Sequence, residues 1–434
     1  MTSSIVVLSE TASALCILCI FLVPFACAGL ALMNTGLGRS RSSAHSMTAS
    51  LCVLAAAALT YFVCGFSWQG FVGLPQHSFM VHGKAWGWIA QSPFFLRGLE
   101  FNSSSASLST LLQVVSVGFA ALIPLGAGTD RWRLSAACVS TVLFAGWTYP
   151  LFAHWVWGGG WLAQLGQNYA LGGGFIDAGG SSSIHAVGGL TALSIAWILG
   201  PRRGKYSSNG MPTAIPGHNS VIVLFGCLLL WIGFLGLNSA GAILFAGVET
   251  GHIVLVGLNT TLSAGAAALA AAILTRVRFG KSDASITANA WVGGLVASSA
   301  GCALLNPAAA AVVGMIGGAL VTLAVEKFEF TLKVDDPAGS ISVHALGGIW
   351  GVLAVGIFAG VSDRPAGQFL AQLVGIATLI GFVLPLTYGL NWFLDRVLRQ
   401  RVALAGERQG VDLYELGADA YPEFVTHSEE FLPR

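Results

Sequence analysis

His185 and His344 each lie inside an apolar run, and each follows an aspartate by eight residues: Asp177 in one case, Asp336 in the other. The surrounding segments read DAGGSSSIHAVGGL (177–190) and DPAGSISVHALGGI (336–349). Aligned on the histidines, they agree at eight of fourteen positions. Richness in Gly, Ala and Ser raises chance similarity, but it does not supply Asp and His in register. Ionisable side chains at membrane depth are costly and mark paths for ions, protons or polar solutes. Burial disfavours a charged imidazole, so each ring is expected neutral, with one nitrogen donating and the other accepting.

Those segments must be held by helices that cross a bilayer. The 434-residue chain is 55% hydrophobic and 9% charged, against about 25% charged residues in soluble domains. It reads as an all-α integral membrane protein, because barrel strands would alternate apolar and polar residues. A net charge of +1 gives no case for nucleic acid. The eight cysteines show no metal-type pairing; Cys16 and Cys19 read as packing residues on one span. No nucleophile–base constellation appears, so an enzyme is not expected, nor is a cofactor or metal. A span needs about 20 apolar residues. Eleven runs qualify or nearly do, near 11–33, 46–69, 105–127, 134–157, 181–200, 218–240, 252–275, 284–303, 306–325, 341–361 and 367–393. The first reads as a span and not a cleaved signal, since no basic segment precedes it.

Lys and Arg counted in alternate loops divide 17 to 3, with only Lys84, Arg97 and Arg364 on the poorer side. Basic loops stay in the cytosol, so eleven spans with the N-terminus outside and the C-terminus inside are expected. Residues 1–393 then form the transmembrane unit. Residues 394–434 form a cytosolic, partly helical tail, and 70–104 a long external loop folded over the pore mouth. Five spans separate the two Asp–His segments, which inverts the direction of travel. The expectation is an inverted repeat, with halves near 10–200 and 217–362 and one extra helix. Asp177 is then external, Asp336 cytosolic, and the histidines converge from opposite leaflets. Ser181 or Ser340 before each histidine, and Gly188–Gly189 or Gly347–Gly348 after it, are expected to share one slim helix face. Two neutral rings sharing a hydrogen bond would suit a small polar molecule such as ammonia and could pass a proton. Each aspartate stands at a helix start and is expected to cap it; for Asp177, attraction of a cation to the pore mouth is a second role.

AHWVWGGGWLA (153–163), the two Asp–His segments with DDPAGSISVHALGGIWG (335–351), and GVDLYELGADAY (410–421) together resemble the Amt/Mep/Rh ammonium transporter family. The chain looks like a divergent, bacterial-type member. DRWRLSA (130–136) and IGFLGLN (232–238) extend the similarity to almost the whole chain. The resemblance implies a homotrimer in the cell (inner) membrane with one pore per subunit. It also implies His185 and His344 at mid-pore, an external cation site at Trp157 with Asp177 as its stabilising carboxylate, and a cytosolic face able to engage a PII-type signalling protein.

Departures from the family pattern fall around the pore mouth. The two gating phenylalanines map to Ser116 and Leu237, with Phe119 one turn on as a substitute. The tryptophan of the span-six segment maps to Phe234, and the serine that helps hold the cation maps to Gly241. Asp336 and Asn238 are expected to be structural or capping residues. These changes weaken a cation–π site worth about 0.5–2 kcal/mol per contact and widen the vestibule. Three functions therefore stand: ammonium transport by deprotonation, uptake of a larger amine such as methylammonium, a diamine or a polyamine, and an amine receptor signalling through a PII-type partner. Refilling of the vestibule by Phe119 and Trp155 is the alternative to widening.

Overall fold

The computed structural model describes residues 7–360 and 366–421. Arg364, Arg434 and the end of the expected tail, 422–434, lie outside the described residues. The long helices are α1 (Glu10–Leu37), α2 (Ser40–Gln69), α3 (Ser105–Gly128), α4 (Leu134–Trp157), α5 (Ser181–Leu199), α6 (Ser220–Phe245), α7 (Thr250–Phe279), α8 (Ala284–Ser299), α9 (Pro307–Phe330), α10 (Ile341–Phe358) and α11 (Gln368–Val397). Ten of these are long and apolar enough to cross a membrane. The exception is α8, which has 16 residues. The chain is thus a multi-pass membrane protein. Asn306 separates α8 from α9: its side chain caps Ala309 N–H and Pro307 opens the new helix.

One element departs from an all-helical reading. The loop after α2 contains an antiparallel hairpin, β1 (Gln76–Val81) and β2 (Lys84–Ala90). Its aromatic residues are what fold it back onto the bundle. Trp88 packs on Trp155 at 4.8 Å and its carbonyl accepts from Trp155 Nε1 at 2.7 Å.

Small residues let equivalent helices approach closely. On α6, Gly226 and Gly233 face the α1 backbone so tightly that a Cβ at Gly233 would lie 2.2 Å from Ala26 N. The α5–α10 pair does the same. A Cβ at Gly189 would lie 2.2 Å from Ala345 N, and one at Gly348 would lie 2.2 Å from Ser181 O. These two helices run antiparallel: Arg202, just past α5, binds Asp335, just before α10, while Gly351 on α10 abuts Ser181 at the start of α5.

The polar end near Arg202 is sealed by the tail, which adds α12 (Leu404–Gln409) and α13 (Asp412–Leu416). Asp412 is fully buried and accepts from Ala44 N and His45 N at 3.1 and 2.7 Å, so it caps α2. Glu415 accepts from Leu134 N at the start of α4 and from His45 Nε2. Burial tends to raise the Glu415 carboxyl, but His45, the Leu134 amide and Arg133 together hold it below its usual value. Beneath lies a buried ion network in which Arg202 meets Asp130 and Asp335, and Arg131 meets Asp335. Burial alone would raise Asp335, yet Arg131 and Arg202 hold it at about 2. For Arg131, burial outweighs its acidic neighbours and brings it down to about 10.

Candidate functional site

Both Asp–His segments open the same way. Gly180 and Gly339 adopt left-handed φ values of 95° and 72°, which only glycine takes without strain, and turn the chain into a helix. Each helix then begins with a wide π turn, Ser181–Ala186 and Ile341–Leu346, that carries the histidine. Such turns are rare and recur at functional sites. Asp177 accepts from the N–H groups of Gly180, Ser182 and Ser183 at 2.8–2.9 Å, and from both serine hydroxyls. Asp336 accepts from Ser340 N and Ile341 N at 3.0 and 2.7 Å. Burial pushes the Asp336 carboxyl up to about 6 against the pull of those two amides.

The wide turns change which residues share a face. Ser181 Oγ donates to Val296 O and accepts from Ala300 N, so it faces α8 and not a lumen. Gly188 faces Ala120 and Ile123 on α3, and Gly189 faces Ala345 on α10. The expected single Ser–His–Gly face is therefore corrected: a π turn spreads these positions over three neighbouring helices.

The histidine rings meet in the buried centre. His185 Nδ1 and His344 Nδ1 are 3.1 Å apart, with the rings stacked at 5.2 Å and 19°. A hydrogen bond between two Nδ1 atoms requires that one donate and the other accept. The donating ring then has a bare Nε2, and the accepting ring carries its proton on Nε2. The pair thus always presents one acceptor and one donor along its outer edges. His185 Nε2 is buried without a partner among the described residues.

Two cavities lie toward the ends of this pair. One, of about 350 Å³, is lined by Trp157, Phe245, Phe71, Val72 and Asp177. Trp157 stacks on Phe245 at 4.6 Å and 11°, and Trp157 Nε1 donates to the Asp177 carbonyl at 2.6 Å. The other, of about 360 Å³, is lined by residues that include Asp336, Gly339, Ser342 and Asn289. Along α3, from the first cavity inward, come Gln113, Ser116 and Phe119, all buried. Gln113 Nε2 and Ser116 Oγ have no partner among the described residues, while Gln113 Oε1 accepts from Tyr149. Phe119 and His185 stand nearly perpendicular, with ring centroids 5.3 Å apart.

Several predicted residues stand elsewhere than expected. Phe234 belongs to the centre and not to the external site: it stacks on His185 at 5.1 Å and 7°, and meets the edge of Phe119 at 5.8 Å. Gly241 does not enlarge the vestibule. It is a close-packing position where a Cβ would lie 2.3 Å from Ala178 O. Asn238 caps no helix; its Nδ2 donates to Thr260 Oγ1 across α6 and α7. Trp155 lies under the hairpin, against Trp88 and Phe382, and refills nothing at the gate. Leu237 is buried one turn outward from Phe234. Sequence reasoning missed Phe245, which partners Trp157. Its spacing was the available signal: positions 234, 238, 241 and 245 recur with the helical period.

At the two gate positions stand Ser116 and Leu237, both buried. Phe119 and Phe234 pack around His185.

Comparison with known proteins agrees along nearly the whole chain. The model of the Ammonium Transporter Family matches residues 14–421. Ammonium transporter Amt2 of Archaeoglobus fulgidus is 35% identical, covering 95% of this chain and 89% of that protein. A putative ammonium transporter of Synechocystis is 31% identical over 91% of this chain and 86% of its own length. Among solved structures, a sensor Amt protein superposes with a TM-score of 0.84 at 29% identity, covering 93% of this chain and 98% of that one. Saccharomyces cerevisiae Mep2 has the same fold, with a TM-score of 0.76 and coverage of 92% and 91%. With its paired, buried histidines between two cavities and this match over residues 14–421, the chain belongs to the ammonium transporter family, whose members are multi-pass membrane transporters and not enzymes.

Proposed function

We propose that the protein moves ammonium across the membrane by recruiting the cation, removing its proton and passing ammonia along the His185–His344 pair. The observation that carries this reading is the 3.1 Å contact between two buried imidazoles that lie between two cavities. Trp157 and Phe245, stacked on each other, leave only their outer faces to the cation, a good contact contributing about 0.5–2 kcal/mol, and Asp177 lines the same cavity. Beyond this vestibule the path is buried, past Gln113 and Ser116 to the aromatic rings around His185, a medium of low dielectric. Moving an ammonium-sized ion into such a medium costs of order 20 kcal/mol in the idealised limit, so the neutral molecule is the species that proceeds. Ammonia can donate to the bare imidazole Nε2 and accept from the protonated one. The same hydrogen bond, by switching donor and acceptor, gives the proton a separate route. Phe119 and Phe234 form the constriction around His185.

The same reading includes an eleven-span arrangement with α8 as the short span, the N-terminus outside and the C-terminus inside. The antiparallel α5–α10 pair and the matched glycine contacts support halves related by an in-plane axis. Assembly as a homotrimer, and docking of a PII-type protein on the face sealed by the tail, belong to this proposal as well. The test is current recording on liposomes containing the full-length protein. Addition of ammonium should give an electrogenic signal that is lost in the His185→Ala/His344→Ala double variant. No ammonium-dependent current or ammonia flux with the wild-type protein would overturn the reading.

A further inference from the structure

At the arginine-rich end of the bundle, outside the pore, lies a cavity of about 980 Å³ between the last turns of α5 and α11 and the docked tail. Its floor is basic: Arg133, Arg203, Arg396, Arg399 and Arg401 line it, against Asp395 and Glu415. Three of these arginines are committed. Arg401 and Arg203 bind Glu407, and Arg133 meets Glu415. Arg396 and Arg399 are exposed and pair with no carboxylate among the described residues; Arg396 lies over the Trp392 ring at 4.8 Å. The opposite wall is aromatic, with Trp197 and Tyr388 edge to face at 6.1 Å. Trp197, Tyr388 and Trp392 are 49%, 39% and 46% exposed. All three stand on membrane-spanning helices, within the final turns of α5 and α11.

Tryptophan and tyrosine collect at headgroup depth, and basic pockets between helices at the membrane surface hold anionic lipid headgroups. A soluble anion would use the arginines alone and would gain nothing from an aromatic wall that continues onto the apolar flank of α11, where Phe393 and Val397 are 63% and 72% exposed. We propose that this groove binds one anionic phospholipid, its phosphate held by Arg396 and Arg399 and its upper acyl chains lying against Trp197 and Tyr388. The tail forms one rim through Leu404 and Tyr414, so the bound lipid also touches the segment that caps α2 and α4.

The test is native mass spectrometry of the full-length protein in detergent, offered an equimolar mixture of phosphatidylglycerol and phosphatidylethanolamine. The wild type should retain phosphatidylglycerol preferentially. Each interfacial basic residue adds about 1 kcal/mol toward an anionic lipid, a factor of about five. Arg396→Gln/Arg399→Gln should therefore lose about 25-fold in phosphatidylglycerol affinity. Arg276→Gln/Lys281→Gln, at and just past the end of α7, should keep wild-type retention. Equal retention of both lipids, or unchanged preference in the Arg396/Arg399 variant, would overturn the proposal. Displacement of phosphatidylglycerol by millimolar glycerol 3-phosphate would also overturn it, by making a free phosphate ester the ligand. Melting temperatures of the variants, expected to match the wild type because both side chains are exposed, separate lost binding from lost fold.

Discussion

Adding one methyl group at Gly189 should uncouple the two histidines without touching either. In Gly189→Ala the new Cβ would sit 2.2 Å from Ala345 N, where ordinary contact begins at 3.4 Å. Ala345 N is helix backbone and a Cβ is fixed by its own helix backbone, so no side chain can swing away. Relief requires α5 and α10 to separate by about 1.2 Å, an overpacking strain of about 1–3 kcal/mol. Ala345 is bonded to His344, so the separation passes to the ring. The Nδ1–Nδ1 distance of 3.1 Å would open to roughly 4.3 Å, beyond hydrogen-bond range. Without that bond the rings no longer exchange donor and acceptor roles, and misplacement by about 1 Å at a reacting centre can cost 10²-fold. Ammonium-evoked current in reconstituted liposomes should fall at least about tenfold, with the protein still folded. Gly265→Ala, on α7 where a Cβ meets nothing within 4 Å, is the matched control and should keep full current. Wild-type current in folded Gly189→Ala would refute the claim that the ring contact carries transport.

Phe119→Ala and Phe234→Ala should each open the constriction around His185 and raise methylammonium current relative to ammonium; an unchanged ratio would remove these rings from the gate. Asp177→Asn keeps one acceptor oxygen but turns an amide toward a buried N–H, at a cost of about 1–3 kcal/mol, so melting temperature should fall together with transport. Asp336 has its carboxyl raised to about 6 by burial. Its protonated form is favoured in the fold, so its contribution to stability is full below about pH 4 and is lost as pH rises through 6. Asp336→Asn should remove that component from a melting-temperature profile taken between pH 4 and 7. Asp412→Ala leaves Ala44 N and His45 N without their acceptor, and hydrogen exchange over 404–416 and 43–46 should accelerate.

The positions of Asp, Gly and His in the doubled segment were legible because each is a local requirement. An aspartate caps within a few residues, a left-handed turn needs glycine, and a membrane span needs only length and apolarity. Those same facts made the helices, their approximate ends and the place of the histidines readable without coordinates, and the family resemblance rested on them. What lay beyond reach depended on contacts between residues distant in the chain. Ser181 turns toward α8 by bonding Val296 O, a partner 115 residues away in the chain, which SSSIHA does not announce. Phe234 maps onto an external tryptophan by alignment, yet its ring stacks on His185, a contact between α6 and α5 that no local pattern states. Gly241 reads as lost bulk in one dimension and as a backbone contact in three. The sequence alone therefore determined that two imidazoles enter the membrane from matched segments. Only the tertiary structure decided that they touch through Nδ1 under two phenylalanines, because that distance is set by how closely α5 and α10 approach at Gly189 and Gly348.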